Sequence, residues 1–170
     1  MNGKTCNINI DRAHARAVTL IAEDFFWNPT DHLAPFGSDE GDTGLILFRE
    51  WRRQHPATPT IEYLKKTIES IGKMAFEDYN ETLLDRDLII QMREDPAFDD
   101  YRFIFTLDVL LIAAGFGQLA DEGIIEAANK PVINTALERQ IAWAQLTESC
   151  SYAEQHIGYL NILKQVLEEA

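Results

Sequence analysis

FIFTLDVLLIAAGFGQLA, Phe103 to Ala120, is the stretch on which the fold turns. Its 18 residues are mostly apolar, so it reads either as a membrane span or as the helix at the centre of a protein core. Two polar side chains, Asp108 and Gln118, interrupt it. A carboxylate in the middle of a bilayer costs roughly 2.5 to 3.5 kcal/mol on insertion scales. The flanks carry Asp99, Asp100, Asp121 and Glu122 where an anchor would carry Lys or Arg. The stretch is therefore read as a core helix from about Asp99 to Leu119, and its lack of a polar face predicts burial on most sides.

On both sides of it the signals are helical, with no Asn-Gly-type hairpin between alternating strands. Asp11 to Phe26 reads as a first helix with Ala13, Ala17, Leu20, Ile21 and Ala22 as its apolar stripe, stopping before Pro29. A second begins after Ser38, places Leu45, Phe48, Trp51 and Arg52 at spacings of three and four, and stops before Pro56. Thr58 with Pro59 marks a third start, as N-cap and N1, ahead of a stripe of Ile61, Leu64, Ile68 and Ile71. Asn80 is placed to cap a fourth helix that runs through Leu83, Leu84, Leu88 and Met92 to Asp95-Pro96. After the central helix come a brief turn, a sixth helix from Lys130-Pro131, an interruption at Ser149 and Ser151, and a last helix from Tyr152 to Leu167. The expectation is an all-α, single-domain bundle of six to seven helices over residues 1–170.

Composition agrees: 46% hydrophobic and 25% charged residues lie in the range of globular domains, and 170 residues suffice for a real core. Cys6 and Cys150 form no C-x-x-C pair, so neither a zinc site nor a disulfide framework is indicated, and a reducing compartment suits them. The N-terminus lacks the apolar run of a signal peptide, and its Gly3-Lys4-Thr5 has too few preceding residues for a P-loop. The expected location is the cytoplasm.

The net charge of −13 is unevenly placed. Residues 1–75 hold nine Lys/Arg against ten Asp/Glu, whereas residues 76–170 hold six against eighteen. Between Glu77 and Asp100 nine acids face only Arg86 and Arg93. Such a field argues against nucleic-acid or anionic-membrane binding, which need clustered cations, and suits a basic protein partner. A homo-oligomer is also compatible with it.

Four features are candidates for chemistry. DHLAPFGSDEGD, Asp31 to Asp42, has the composition of a metal loop, but Leu33 and Pro35 fall where an EF-hand would need ligands. It reads instead as a turn with Gly37 at positive φ, followed by Ser38 as N-cap and by Asp39, Glu40 and Asp42 in a helix first turn that favours negative charge. Asp108 has Ile104, Phe105, Leu111 and Ile112 as its helical neighbours, so its carboxylate leans into apolar surroundings. It is either held in a buried ion pair or helix-cap hydrogen bond, with Arg86, Arg93 or a histidine as partner, or it is a catalytic or ligand-binding carboxylate. FREWRRQH, Phe48 to His55, is the one basic and aromatic cluster; Arg49, Arg52 and Arg53 either compensate a helix C-terminus and bridge to the acidic half, or bind an anion. Gly115 and Gly117 point to close helix packing or a helix break. His14, His32, His55 and His156 match no metal-binding pattern, and their expected state is exposed; no cofactor is indicated.

Two stretches, FFWNPTDHLAPFGSDEGDTGLILFREWRRQHP (Phe25 to Pro56) and IAAGFGQLADEGII (Ile112 to Ile125), resemble a group of small bacterial proteins labelled as regulators of molybdenum or molybdate metabolism. The resemblance covers under a third of the chain and brings no catalytic residues with it. It implies a cytoplasmic regulatory role; no basic helix-turn-helix face makes this a DNA-binding regulator. The resulting expectation is a non-enzymatic protein that acts through protein contacts, with Asp95, Asp99 and Asp100 in its interaction surface. The rivals are an immunity or nucleic-acid-mimic protein using the same acidic half, and an enzyme built on Asp108.

Overall fold

The computed structural model describes residues 7–146 and 151–170, so the expected interruption at Ser149 lies outside the described residues. Among the described residues there is no strand. Seven α-helices, α1 (Ala15–Leu20), α2 (Asp39–Gln54), α3 (Ile61–Ile71), α4 (Arg86–Glu94), α5 (Asp108–Glu122), α6 (Lys130–Leu146) and α7 (Ser151–Glu169), are joined by short 3-10 turns into a compact bundle.

The apolar stretch is its axis. Every residue from Leu110 to Ala120 is buried, with α2 packed on one flank of α5, α6 on another, and α7 laid against α6. The continuous helical run Tyr101–Glu122 is long and apolar enough to cross a membrane, with mean hydropathy 1.9, yet 78% of its most apolar window is buried inside the bundle. Glycines set how closely the helices approach. A Cβ on Gly117 would come within 2.9 Å of Leu45 and 3.2 Å of Phe48 on α2, and one on Gly115 would overlap Ile133 of α6. Gly44 answers from α2, facing Ala113 and Leu110. Each glycine costs about 1 kcal/mol of helix propensity, and the close packing they permit offsets it. Gly123, at φ 75, ends α5 with its amide donating to the Leu119 carbonyl, the left-handed closure that favours glycine.

The N-terminal third of this long run is not α-helical. Tyr101–Leu107 is a π-helical segment in which the Asp108 amide reaches back five residues to the Phe103 carbonyl. Where such bonding hands over to the ordinary i−4 pattern, one carbonyl loses its amide, and the Gln140 side chain of α6 donates to the Ile104 carbonyl at 2.5 Å. No sequence signal announced this segment.

Other boundaries also differ from expectation. The first helix is broken into a 3-10 turn (Ile10–Arg12), α1 and a second 3-10 turn (Asp24–Trp27), because the Trp27 indole captures the Ile21 carbonyl and turns Phe25 and Phe26 into the core. The third helix starts at Ile61 with Thr60 as its cap residue, and Thr60's amide and hydroxyl are satisfied by the distant Glu126 carboxylate. Asn80 caps only a 3-10 turn (Glu81–Leu84); Asp85 restarts the chain as α4, accepting from the Leu88 amide. Gly37 does not take positive φ. It is required because a side chain there would strike the Asp31 backbone. Ser38 caps α2 as expected, its hydroxyl accepting from the Gly41 amide at 3.1 Å, and Phe36 is buried edge-on against Phe26. The 31–42 stretch is an anchored turn.

Candidate functional site

Asp108 is wholly buried at the first turn of α5, where the π-helical segment delivers it. Its partner is Arg139 on α6, with Nε 3.1 Å from Oδ2 and both side chains almost fully sealed. Neither Arg86 nor Arg93 takes this role; both are exposed on α4. The Tyr79 hydroxyl donates to Oδ1 at 2.6 Å, and the Arg139 guanidinium lies over the Tyr79 ring at 5.7 Å. Burial pushes the Asp108 carboxyl up to about 6, while Arg139, Tyr79 and Gln140 pull in the opposite direction. Burial, and next the Asp108 charge, raise the Tyr79 phenol far above its ordinary value. The set joins α5, α6 and the 3-10 region before α4 in a place closed to solvent.

The basic cluster serves a second junction, at the far end of α5. Arg49 grips Asp121 with two bonds of 2.8 and 2.7 Å. Arg52 lies 2.7 Å from Glu122, donates to the Thr58 carbonyl at 2.7 Å and to the Thr60 hydroxyl, and stacks over the Trp51 ring at 5.1 Å. Glu126 then ties Thr60 to Gln118, whose amide nitrogen donates to both Glu122 and Glu126 at 3.0 and 2.8 Å. Gln118, the second polar residue in the apolar stretch, is thereby explained. Arg53 points to solvent and joins none of this. The three arginines are thus divided between fold and surface and do not converge on a common anion site.

The acidic segment is different in kind. All nine carboxylates between Glu77 and Asp100 are exposed, and among the described residues Asp99 alone is ion-paired, with Arg102 at 3.5 Å. Asp95 and Asp99 also accept from the backbone amides of Ala97 and Arg102, which fixes the chain as it leaves α4. Asp95 and Asp100 border a hollow of about 520 Å³ whose other walls include Phe98, Phe105 and Trp143. His156, expected to be exposed, is half-buried on α7, and burial lowers its pKa. No group of three or more His, Cys, Asp or Glu among the described residues is arranged to hold a metal.

No protein-family model matches the chain, and neither a curated protein nor a solved structure is similar to it. The functional reading rests on the residues alone.

Sequence reasoning placed Asp108 in apolar surroundings but missed Arg139, Tyr79 and Gln140. Arg139 carried a comparable signal, since Ala136, Ala142 and Trp143 are its own helical neighbours. A lone acid and a lone base on two apolar helix faces are candidates for one another.

Proposed function

We propose that this is a protein-interaction module whose exposed acidic segment, from Glu77 to Asp100, engages a basic partner. The observation that carries the reading is the contrast in charge use: Arg49 and Arg52 are bound to Asp121 and Glu122, while eight of the nine segment acids have no ion pair among the described residues. Exposed like charges held apart from counterions repel one another and attract a complementary surface at long range. Asp108, enclosed and paired with Arg139, is sealed from any substrate, so the acidic segment rather than this carboxylate carries the reading. A regulator acting by contact, the role implied by the motifs at Phe25–Pro56 and Ile112–Ile125, is consistent with this reading.

The test is capture from a lysate of the source cells at low and high salt, using the wild type and a variant with Asp95, Asp99 and Asp100 changed to Asn. The reading requires a basic protein held at low salt, released at high salt, and lost to the variant. Capture indifferent to both salt and variant would sink it.

A further inference from the structure

We propose that a groove running from the end of α4 to α7 docks an amphipathic helix of a basic partner protein, an inference that rests on the acidic-segment reading and gives it a place and a shape. Three hollows meet at Phe105, which lines all of them. The first, about 520 Å³, is bordered by Asp95, Asp100 and Arg93 and floored by Phe98, Phe105 and Trp143. The second, about 300 Å³, shares Phe105 and Trp143 and continues over Leu33, Ala144, Tyr152 and Ala153. The third, about 250 Å³, shares Leu33, Phe105 and His156 and ends on Val109, Leu160 and Leu163. Phe105 and Trp143 are thus the joint between an acidic mouth and an apolar floor.

Two large side chains on these walls are left to water: Phe105 is 44% exposed and Tyr152 63%. Singly such residues mean little, but on the rim of a continuous apolar floor they mark a contact surface. Besides Gln140 and His156, the polar side chains on the floor are His32, Ser38 and Glu40, all in the third hollow. Gln140 is engaged with the Ile104 carbonyl, and burial biases His156 toward its neutral form. The groove is walled by α6, α7 and the π-helical segment, so an added strand has no sheet edge to join among the described residues. A helix laying side chains at i, i+3 or i+4, and i+7 into the floor is the mode that remains.

Charge chooses the occupant. A basic helix would set Lys or Arg against Asp95 and Asp100, with Asp99 next to them in the chain, whereas an acidic one would meet like charge at two of the mouth's three charged walls, Arg93 being the third. A second copy of this chain offers no such helix in its basic stretch, because Arg49 and Arg52 are already held by Asp121 and Glu122.

The experiment titrates the full chain with a labelled Leu/Lys peptide of about 18 residues, five helical turns, with leucines on one helical face. A scrambled peptide of the same composition is the control, and sedimentation is run alongside. The patterned peptide is expected to bind at least ~10-fold more tightly than the scrambled one, and Phe105→Ser or Tyr152→Ser to remove at least ~10-fold of that affinity at an unchanged thermal midpoint. Changing Asp95 and Asp100 to Asn should weaken binding and flatten its salt dependence. Equal binding of the two peptides, sensitive only to the aspartates, overturns the groove and leaves the acidic-segment reading standing. Sensitivity to Phe105 and Tyr152 without sensitivity to salt or the aspartates overturns the basic helix and that reading together. A homodimer dissolved by Phe105→Ser makes the occupant a second copy and also overturns the proposal.

Discussion

The two ends of the central helix run are treated in opposite ways. At its C-terminal end, around Glu122, every acid has a base at ion-pair distance: Asp121 has Arg49, Glu122 and Glu126 share Arg52, and Gln118 lies beneath them. At the opposite end, around Tyr101, the approach is lined by Asp95, Asp99 and Asp100, and among the described residues Arg102 is their one ion-pair partner. Between these lies Asp108, paired and sealed. The same residue types hold the fold in one place and face solvent in another. What separates them is whether a neighbouring helix presents a counter-charge at bonding distance.

That comparison is sharpened most by removing a sealed charge. Arg139→Met leaves Asp108 buried beside Tyr79 without its cation, and the expected loss is about 3–5 kcal/mol by denaturant unfolding near neutral pH. A loss below ~1 kcal/mol would break the claim that this pair fastens α6 to α5. Acidity probes the same pair more gently. Because the folded Asp108 carboxyl titrates near 6 rather than near 3.8, it contributes stability below pH 4 that is lost as the pH rises through 6. The stability difference between wild type and Asp108→Asn should therefore move against the wild type by about 2 kcal/mol from pH 4 to pH 7, and a flat difference would refute the shift. The third test sets the two ends side by side. Arg52→Ala should cost about 2 kcal/mol, since it strips charge-assisted bonds from partly buried groups. Changing Asp95, Asp99 and Asp100 to Asn should alter stability by less than ~0.5 kcal/mol, because Asn keeps their capping bonds and no sealed pair is lost. Equal costs at the two ends would erase the distinction.

Much of this architecture was legible in the letters. The all-helical bundle, the buried central run, α2 with its Ser38 cap and the close packing at Gly115 and Gly117 followed from periodicity, turn chemistry and the absence of side chains at the contact. What escaped was whatever depended on a distant segment. Glu126 moved the start of α3, Trp27 broke the first helix, and Arg139 displaced the arginines of α4 as the partner of Asp108. Local spacing says which face of a helix a residue occupies, but not which helix lies opposite. The basic cluster shows the same limit: FREWRRQH gave the helix end and its charges, while only the fold decided that Arg49 and Arg52 turn inward to acids and Arg53 does not.

The π-helical turn at Tyr101–Leu107 makes the groove a question of register. A π turn is an α turn with one residue to spare, so deleting a single residue there would let α5 continue as an unbroken α-helix and rotate everything before it by about 100°. Phe105 would leave the floor, and the carbonyl held by Gln140 would regain an amide of its own. The surface through which this chain is proposed to bind is thus encoded by chain length as much as by residue identity. A one-residue deletion that strengthens the helix would be expected to erase the groove.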